Sequence, residues 1–181
     1  MISLKTAHEL ERMQKACRIS AQALKVAEEH IKAGMSTYEL DMILREFYRS
    51  QGAKPSFLGY GGFTGSACIS INDEVIHGIP SKTKIIRDGD IVKVDTGAYI
   101  DGFHGDNAAT FAVGEVSDEA KKLMDVTEQS LYEGIRMAKV GNRIGDISHA
   151  IEEYVTSRGY AVVKKFVGHG VGHELHESPE V

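Results

Sequence analysis

The chain has 181 residues, 42% of them apolar, which suits one domain, or one and a fraction, with a core of ordinary size. Its 21 Lys plus Arg against 26 Asp plus Glu give a net charge of -5, which offers no basic footprint for nucleic acid or membrane and is too mild for an acidic tail. Cys17 and Cys68 make no disulfide framework, no stretch reads as a membrane helix, and residues 1–6 lack the apolar run of a secretion signal, so a cytoplasmic chain is expected.

From Ala7 to Lys32 the apolar positions Leu10, Met13, Cys17, Leu24, Ala27 and Ile31 recur at helical spacing, and Gly34 is a natural stop. Ser36 with Glu39 is a capping-box signature opening a second helix through Leu40, Ile43, Leu44 and Phe47 to Gly52. The glycine-rich run 59–65 predicts a loop. The period then changes to short β-type runs, Ala67 to Asn72, Asp90 to Ala98 and Phe103 to Val113, with Asp101-Gly102 as the hairpin turn between the last two. Ser117-Asp118 predicts the start of a long helix carrying Leu123, Met124, Leu131 and Ile135 and ending near Gly141. Another helix runs from about Asp146 through Ile147, Ile151 and Val155 to Gly159, and Tyr160 to Val167 reads as a strand.

This order repeats. A shift of 107 residues brings Gly34 onto Gly141, Leu24 onto Leu131, Leu40 onto Ile147, Leu44 onto Ile151, Phe47 onto Tyr154 and Gly52 onto Gly159. A duplicated αα-then-β unit would place its cleft between the two halves. The expected organisation is a single catalytic-type domain over 1–181, with pseudo-repeats about 7–114 and 115–181. The second is cut short, since only 22 residues follow Gly159.

Asp95 and Asp106 flank the Asp101-Gly102 turn. A two-residue loop there pairs Asp95 with Ala108, so both carboxylates point to one face of the ladder, roughly 5–8 Å apart. Like charges that close are costly unless a cation joins them or one takes up a proton. The plain alternative is two separately solvated strand aspartates. Three of the eight histidines, His169, His173 and His176, crowd the end of the chain. Neutral imidazole pairs naturally with carboxylates at a divalent metal site. His169 ends an apolar run, whereas His173 reads as a surface histidine in a glycine loop. His77, between Val75-Ile76 and the turn Gly78-Ile79-Pro80, reads from spacing as structural. His8, His30, His104 and His149 have no partner pattern. Cys17 and Cys68 read as small buried apolar residues.

Three motifs fail on inspection. His173-Glu174-Leu175-His176 is one residue short of the zinc-protease helix motif. Asp95-Thr96-Gly97 matches the aspartic-protease triplet, but those folds are all-β and this chain is at least one-third helix. No helix with a ribose-binding acid follows Gly168-x-Gly170-x-Gly172.

Together, Cys68-Ile69-Ser70-Ile71-Asn72 running on to His77-Gly78-Ile79-Pro80, Gly89-Asp90-Ile91-Val92 with Asp95, Gly105-Asp106, and Gly168-His169-Gly170-Val171-Gly172 with His176-Glu177 resemble the type I methionine aminopeptidases. The resemblance covers nearly the entire chain and implies the α+β pita-bread fold: two pseudo-symmetric αα-β halves around a curved antiparallel sheet, the second half incomplete. It implies Asp95, Asp106 (bridging) and His169 as metal ligands for two divalent ions of the cobalt, manganese, iron or zinc class. It implies His77 at the scissile region, His176 on the substrate carbonyl, and Phe57, Tyr60, Phe63, Cys68 and Leu175 around the methionine side chain. The implied substrates are N-terminal peptides of nascent proteins at the ribosome.

The same resemblance implies two further glutamate ligands, one also the general base, downstream of Val181, and Glu174 and Glu177 do not replace them. It assigns His173 no role, and Gly61 stands where some members carry histidine. The expectation is therefore a truncated form with partial or no metal occupancy, little or no hydrolysis, and self-association through exposed apolar surface and strand edges. Two other readings stand beside it. One is a complete, non-catalytic binding module with a partial metal site; the other is a two-carboxylate glycosidase using Asp95 and Asp106, which leaves the histidines unexplained.

Overall fold

The computed structural model describes residues 2–181. In chain order these form α1 (Ala7–His30), α2 (Thr37–Ser50), β1 (Lys54–Pro55), a single 3-10 turn (Tyr60–Gly62), β2 (Ala67–Ile71), β3 (Ile91–Ile100), β4 (Phe103–Ala112), α3 (Asp118–Met137), α4 (Ile144–Thr156), β5 (His169–Gly170) and β6 (Glu177–Glu180). They fall into two compact units, Leu4–Val116 with Val171–Leu175, and Ser117–Gly170 with His176–Val181. The first is called the sheet unit below and the second the α3–α4 unit.

In the sheet unit, β3 is the central strand. β4 pairs antiparallel along one edge, while β1 and β2 share the other in tandem. The two-residue turn sits at Asp101-Gly102, with φ of 53° and 83°, a left-handed pair that twists the hairpin as its flanking strands require. Register follows from it: Asp95 faces Ala108 and Gly97 faces Asp106. Alternation then divides the sheet. Val92, Val94, Thr96, Ala98 and Phe103 are buried together with Leu40, Leu44 and Tyr48 of α2 and Ala16, Ile19, Ala23 and Ala27 of α1. Asp95, Asp106 and Cys68 point to the opposite face.

Two capping boxes start the helices. Ser36 with Glu39 opens α2 as its sequence predicts, and Thr6 with Glu9 opens α1. The predicted stripe of α1 holds in part: Ala27 is buried and Met13, Leu24 and Ile31 pack against the core, but the fully buried line is a different one. It consists of small residues, Ala16, Ser20, Ala23 and Ala27 with Ile19, whereas Leu10 is 46% exposed and Cys17 half-buried. The reason is close approach: a Cβ on Gly105 of β4 would lie 2.5 Å from the backbone of Ala16 and Cys17. Large side chains cannot enter so narrow a gap. The polar atoms inside are paired, Tyr48 with Thr96 Oγ1 at 2.7 Å, Ser20 Oγ with the Thr96 carbonyl at 3.1 Å, and Asn107 Nδ2 donating to Ser20 Oγ at 2.8 Å.

In the α3–α4 unit the helices pack through Gly134, where a Cβ would lie 2.8 Å from Ile151 Cδ1. Buried positions on α3 are Val126, Ser130 and Gly134, while Leu131 and Ile135, predicted as its apolar face, are 55% and 56% exposed. The ends of α1 and α3 (His30, Met137) and the starts of α2 and α4 (Thr37, Ile144) stand 107 residues apart. The strand predicted over Tyr160 to Val167 does not form: the segment is irregular, and among the described residues no strand pairs with it. An extended segment without a partner has nowhere to place its backbone hydrogen bonds except water. The strand pair of this unit is β5 with β6, matching His169 to Glu180 and Gly170 to Glu177 across a bulge. Among the described residues no helix is long and apolar enough to cross a membrane.

Candidate active site

The face of the sheet turned away from α1 and α2 carries the acid pair. Asp95 is pushed up to about 7, first by burial, then by the charge of Asp106, then by a hydrogen bond with it. That bond requires a proton between the two carboxyls. Both residues are half-buried, and burial followed by close like charge favours the protonated form of Asp95.

Beside the pair lies a second, smaller apolar cluster. Cys68, the cross-strand partner of Asp95, packs with Phe57 and Leu175, all under 9% exposed, and with the partly buried Phe63. The Cys68 thiol is pushed up to about 12 by burial and then by Asp95, Asp106 and Asp41, so it is a neutral wall and no thiolate. Tyr60, expected with this group, sits on the 3-10 turn with its side chain 52% exposed. Its backbone does bind the loop together, taking the Phe63 N–H at 2.9 Å and donating to the Phe57 carbonyl at 3.0 Å.

Asp41 fixes where this loop enters β2. It is 1% exposed, accepts the Ser66 and Ala67 N–H groups at 2.5 and 3.0 Å, and pairs with Arg45 at 3.2 Å. Arg45 in turn donates to Ser66 Oγ and the Thr64 carbonyl. Burial nevertheless raises the Asp41 pKa, so desolvation outweighs its three partners. No sequence pattern marked this residue; it sits on the helical stripe one place after Leu40.

His77 lies on the stretch crossing the free edge of β2. It is exposed and in the left-handed region, with φ of 58°, a rare state for a residue with a side chain. The next residue explains how it is held. Gly78 donates to Ser70 Oγ at 3.0 Å and accepts the Ile69 N–H at 2.8 Å, and its backbone touches β2 so closely that a Cβ would lie 2.2 Å from the Ile69 carbonyl oxygen.

In the α3–α4 unit, the His169 and His176 rings stack at 4.2 Å between centroids. His169 Nδ1 is 2.9 Å from the Gly170 carbonyl, which can only accept, so the proton sits on Nδ1 and Nε2 is the nitrogen with ligand chemistry. His173, read from sequence as a surface histidine, is engaged in the sheet unit, with Nδ1 on the Gly102 carbonyl and its ring against Phe103. His104, without a sequence pattern, bonds Ser56 Oγ at 2.9 Å and stacks on Tyr99.

The donor chemistry of the acid pair suits divalent cations: two adjacent carboxyls that share a proton would give it up to a shared positive charge. Among the described residues no group of three or more His, Cys, Asp or Glu is gathered for a metal, so within the sheet unit the fit rests on Asp95 and Asp106.

Comparison with known proteins gives this geometry its context. Metallopeptidase family M24 matches residues 11–181. The methionine aminopeptidase of Clostridium acetobutylicum is 51% identical over 181 residues, which are 100% of this chain and 72% of that protein. Of solved structures, methionine aminopeptidase from Thermotoga maritima matches with a TM-score of 0.97 at 44% identity, covering 99% of this chain and 72% of that one. X-Pro aminopeptidase from the same organism matches at 0.82 and 26% identity, over 98% and 48%. This chain, with its pita-bread architecture, therefore belongs to metallopeptidase family M24, in its methionine aminopeptidase group.

Proposed function

We propose that the chain is a methionine aminopeptidase that removes the initiator methionine from nascent proteins in the cytoplasm by attack of activated water on the first peptide bond. The observation carrying this reading is the neighbourhood on one sheet face: a proton-sharing acid pair, and beside it the apolar group Phe57, Cys68 and Leu175. Asp95, Asp106 and His169 would hold the metal. Divalent cations bound there supply Lewis acidity and activation of water at neutral pH. Phe57, Phe63, Cys68 and Leu175, with Tyr60 at the rim, take the thioether side chain, for which an apolar, polarizable wall is suited. His77 meets the scissile region. His176 donates to the carbonyl oxygen as negative charge develops on it.

The resemblance implies two more glutamate ligands, and these 181 residues by themselves do not supply them. We propose that this stretch alone binds metal weakly, shows little or no hydrolysis, and self-associates through exposed apolar surface and strand edges. The single-domain organisation with two pseudo-repeats, 107 residues apart, belongs to the same proposal. A second reading, a non-catalytic module with a partial metal site, is favoured by the absence of a gathered three-ligand group among the described residues.

Release of methionine from Met-Ala-Ser, with added cobalt or manganese, separates the two. Metal-dependent release that rises when the coding frame beyond Val181 adds two glutamates within about 70 residues supports the enzyme. A rate already normal for the 181-residue chain would sink the claim that those glutamates are needed. Absence of both methionine release and metal binding, in the 181-residue chain and in the extended form alike, would overturn the enzyme reading itself.

A further inference from the structure

One histidine of the terminal cluster has no part in the reaction as proposed. His173 lies in Val171–Leu175, a segment belonging to the sheet unit, and three groups hold its ring. Nδ1 is 3.0 Å from the Gly102 carbonyl oxygen, Nε2 is 3.4 Å from Glu9 Oε1, and the ring centroid is 4.2 Å from that of Phe103. Phe103 is fully buried and carries the Arg12 guanidinium 5.0 Å over its ring. Two backbone bonds run alongside, His104 N–H to the Gly172 carbonyl at 2.8 Å and Gly172 N–H to the Glu174 carbonyl at 3.1 Å. Two residues after His173, Leu175 is 3% exposed against Phe57 and Cys68.

Both polar partners of the ring are acceptors. A carbonyl and a carboxylate are satisfied together only by a side chain that donates in two directions. Glu9 is committed in advance: its Oε2 takes the Thr6 N–H and hydroxyl at 2.8 Å each, completing the α1 capping box, while Oε1 is turned to His173. The Thr6 backbone N–H, first among the causes, holds Glu9 down at about 2, so it stays an anion across the working range.

We propose that His173 is a positioning residue: it clamps the 171–175 segment to the first turn of α1 and to the β3–β4 turn, and so sets how deeply Leu175 enters the apolar pocket. The proposal rests on the reading of that pocket as the methionine side-chain site.

Two variants test it. His173→Phe keeps a ring against Phe103 and removes both nitrogens; His173→Arg keeps a planar group that stacks on an aromatic face and donates to two acceptors. The measurements are hydrogen exchange at the His104 and Gly172 amides, and kcat and KM for Met-Ala-Ser with manganese. His173→Phe is expected to lower protection of both amides about tenfold, through local opening of the segment. It is expected to raise KM about fivefold with kcat within about twofold, the pattern for lost ground-state binding, and His173→Arg restores both. Unchanged protection, a fall in kcat at constant KM, unchanged KM despite lost protection, or no rescue by arginine would each overturn the proposal. If neither this chain nor its form extended by the two glutamates binds or cleaves the peptide with manganese, the enzyme reading fails by itself, and the two amides still decide whether the clamp exists.

Discussion

Asp95 and Asp106 stand diagonally across the β3–β4 ladder, on the face that α1 and α2 do not cover, and burial together with the nearness of Asp106 pushes Asp95 up to about 7. The pair sets the pH behaviour of the metal-free protein. An acid raised in the folded state to about 7 from about 4 stabilises fully below the lower value and loses that contribution as pH rises to the upper one. Melting of EDTA-treated wild type against Asp95→Asn, from pH 4.5 to 7.5, should show wild type losing about 2 kcal/mol relative to the variant. Manganese should restore the loss in wild type only. A pH-independent difference would mean the two carboxyls do not interact.

Asp106→Ala should leave Asp95 without a second carboxylate and weaken manganese binding about 100-fold or more, beyond the loss caused by outer-sphere changes. Calorimetric titration reads this directly. Equal affinity in the variant would remove Asp106 from the metal site.

Gly78→Ala puts a methyl group against the β2 backbone, at 2.2 Å from Ile69 O, 2.7 Å from Ile69 C and 2.9 Å from Ser70 Cα. No flexible side chain can yield there, so the 77–80 stretch must lift. The expected cost is about 3 kcal/mol, at the upper end for overpacking. Urea denaturation should show the midpoint falling at constant slope, and a shift below a few tenths of a kcal/mol would contradict the closeness of that crossing.

At Asp41 the two natural truncations should differ. Asp41→Asn keeps an oxygen for the Ser66 and Ala67 N–H groups and loses the charge opposite Arg45, for a cost of about 1 kcal/mol. Asp41→Ala orphans two buried donors and takes the counter-charge from Arg45, costing about 3 kcal/mol or more. Equal costs would show that the ion pair, and not the two backbone bonds, holds the loop.

The sheet register was legible because Asp101-Gly102 admits a tight turn and alternation does the rest: Asp95 opposite Ala108 follows from counting. The buried stripe of α1 was only partly legible, because an apolar periodicity looks for Leu10 and Cys17, whereas the helix approaches the sheet through alanines and a serine, with Leu24 packed beside them. Val163 and Val167 read as strand from composition, but strand is a property of pairs, and the partner is missing from the described residues. Asp41 and His173 escaped for a related reason. Each is defined by chain segments distant in sequence, Ser66 for one and Glu9 and Gly102 for the other, and no local pattern announces such a meeting.

The absent side chain at Gly105 has a consequence on the far side of the sheet. α1 rests on β4 there with backbone against backbone, and the next residue along the strand is Asp106. Across the ladder, Gly97 is likewise pressed, against Ser56, at Asp106's own register position. The carboxylate therefore stands on a hairpin seated on one face through β4 and on the other through β3, at two positions where no methyl fits. The seating of α1 on Gly105 thus helps set the gap between the two acids, and an alanine at 105 would act as a shim that shifts their separation.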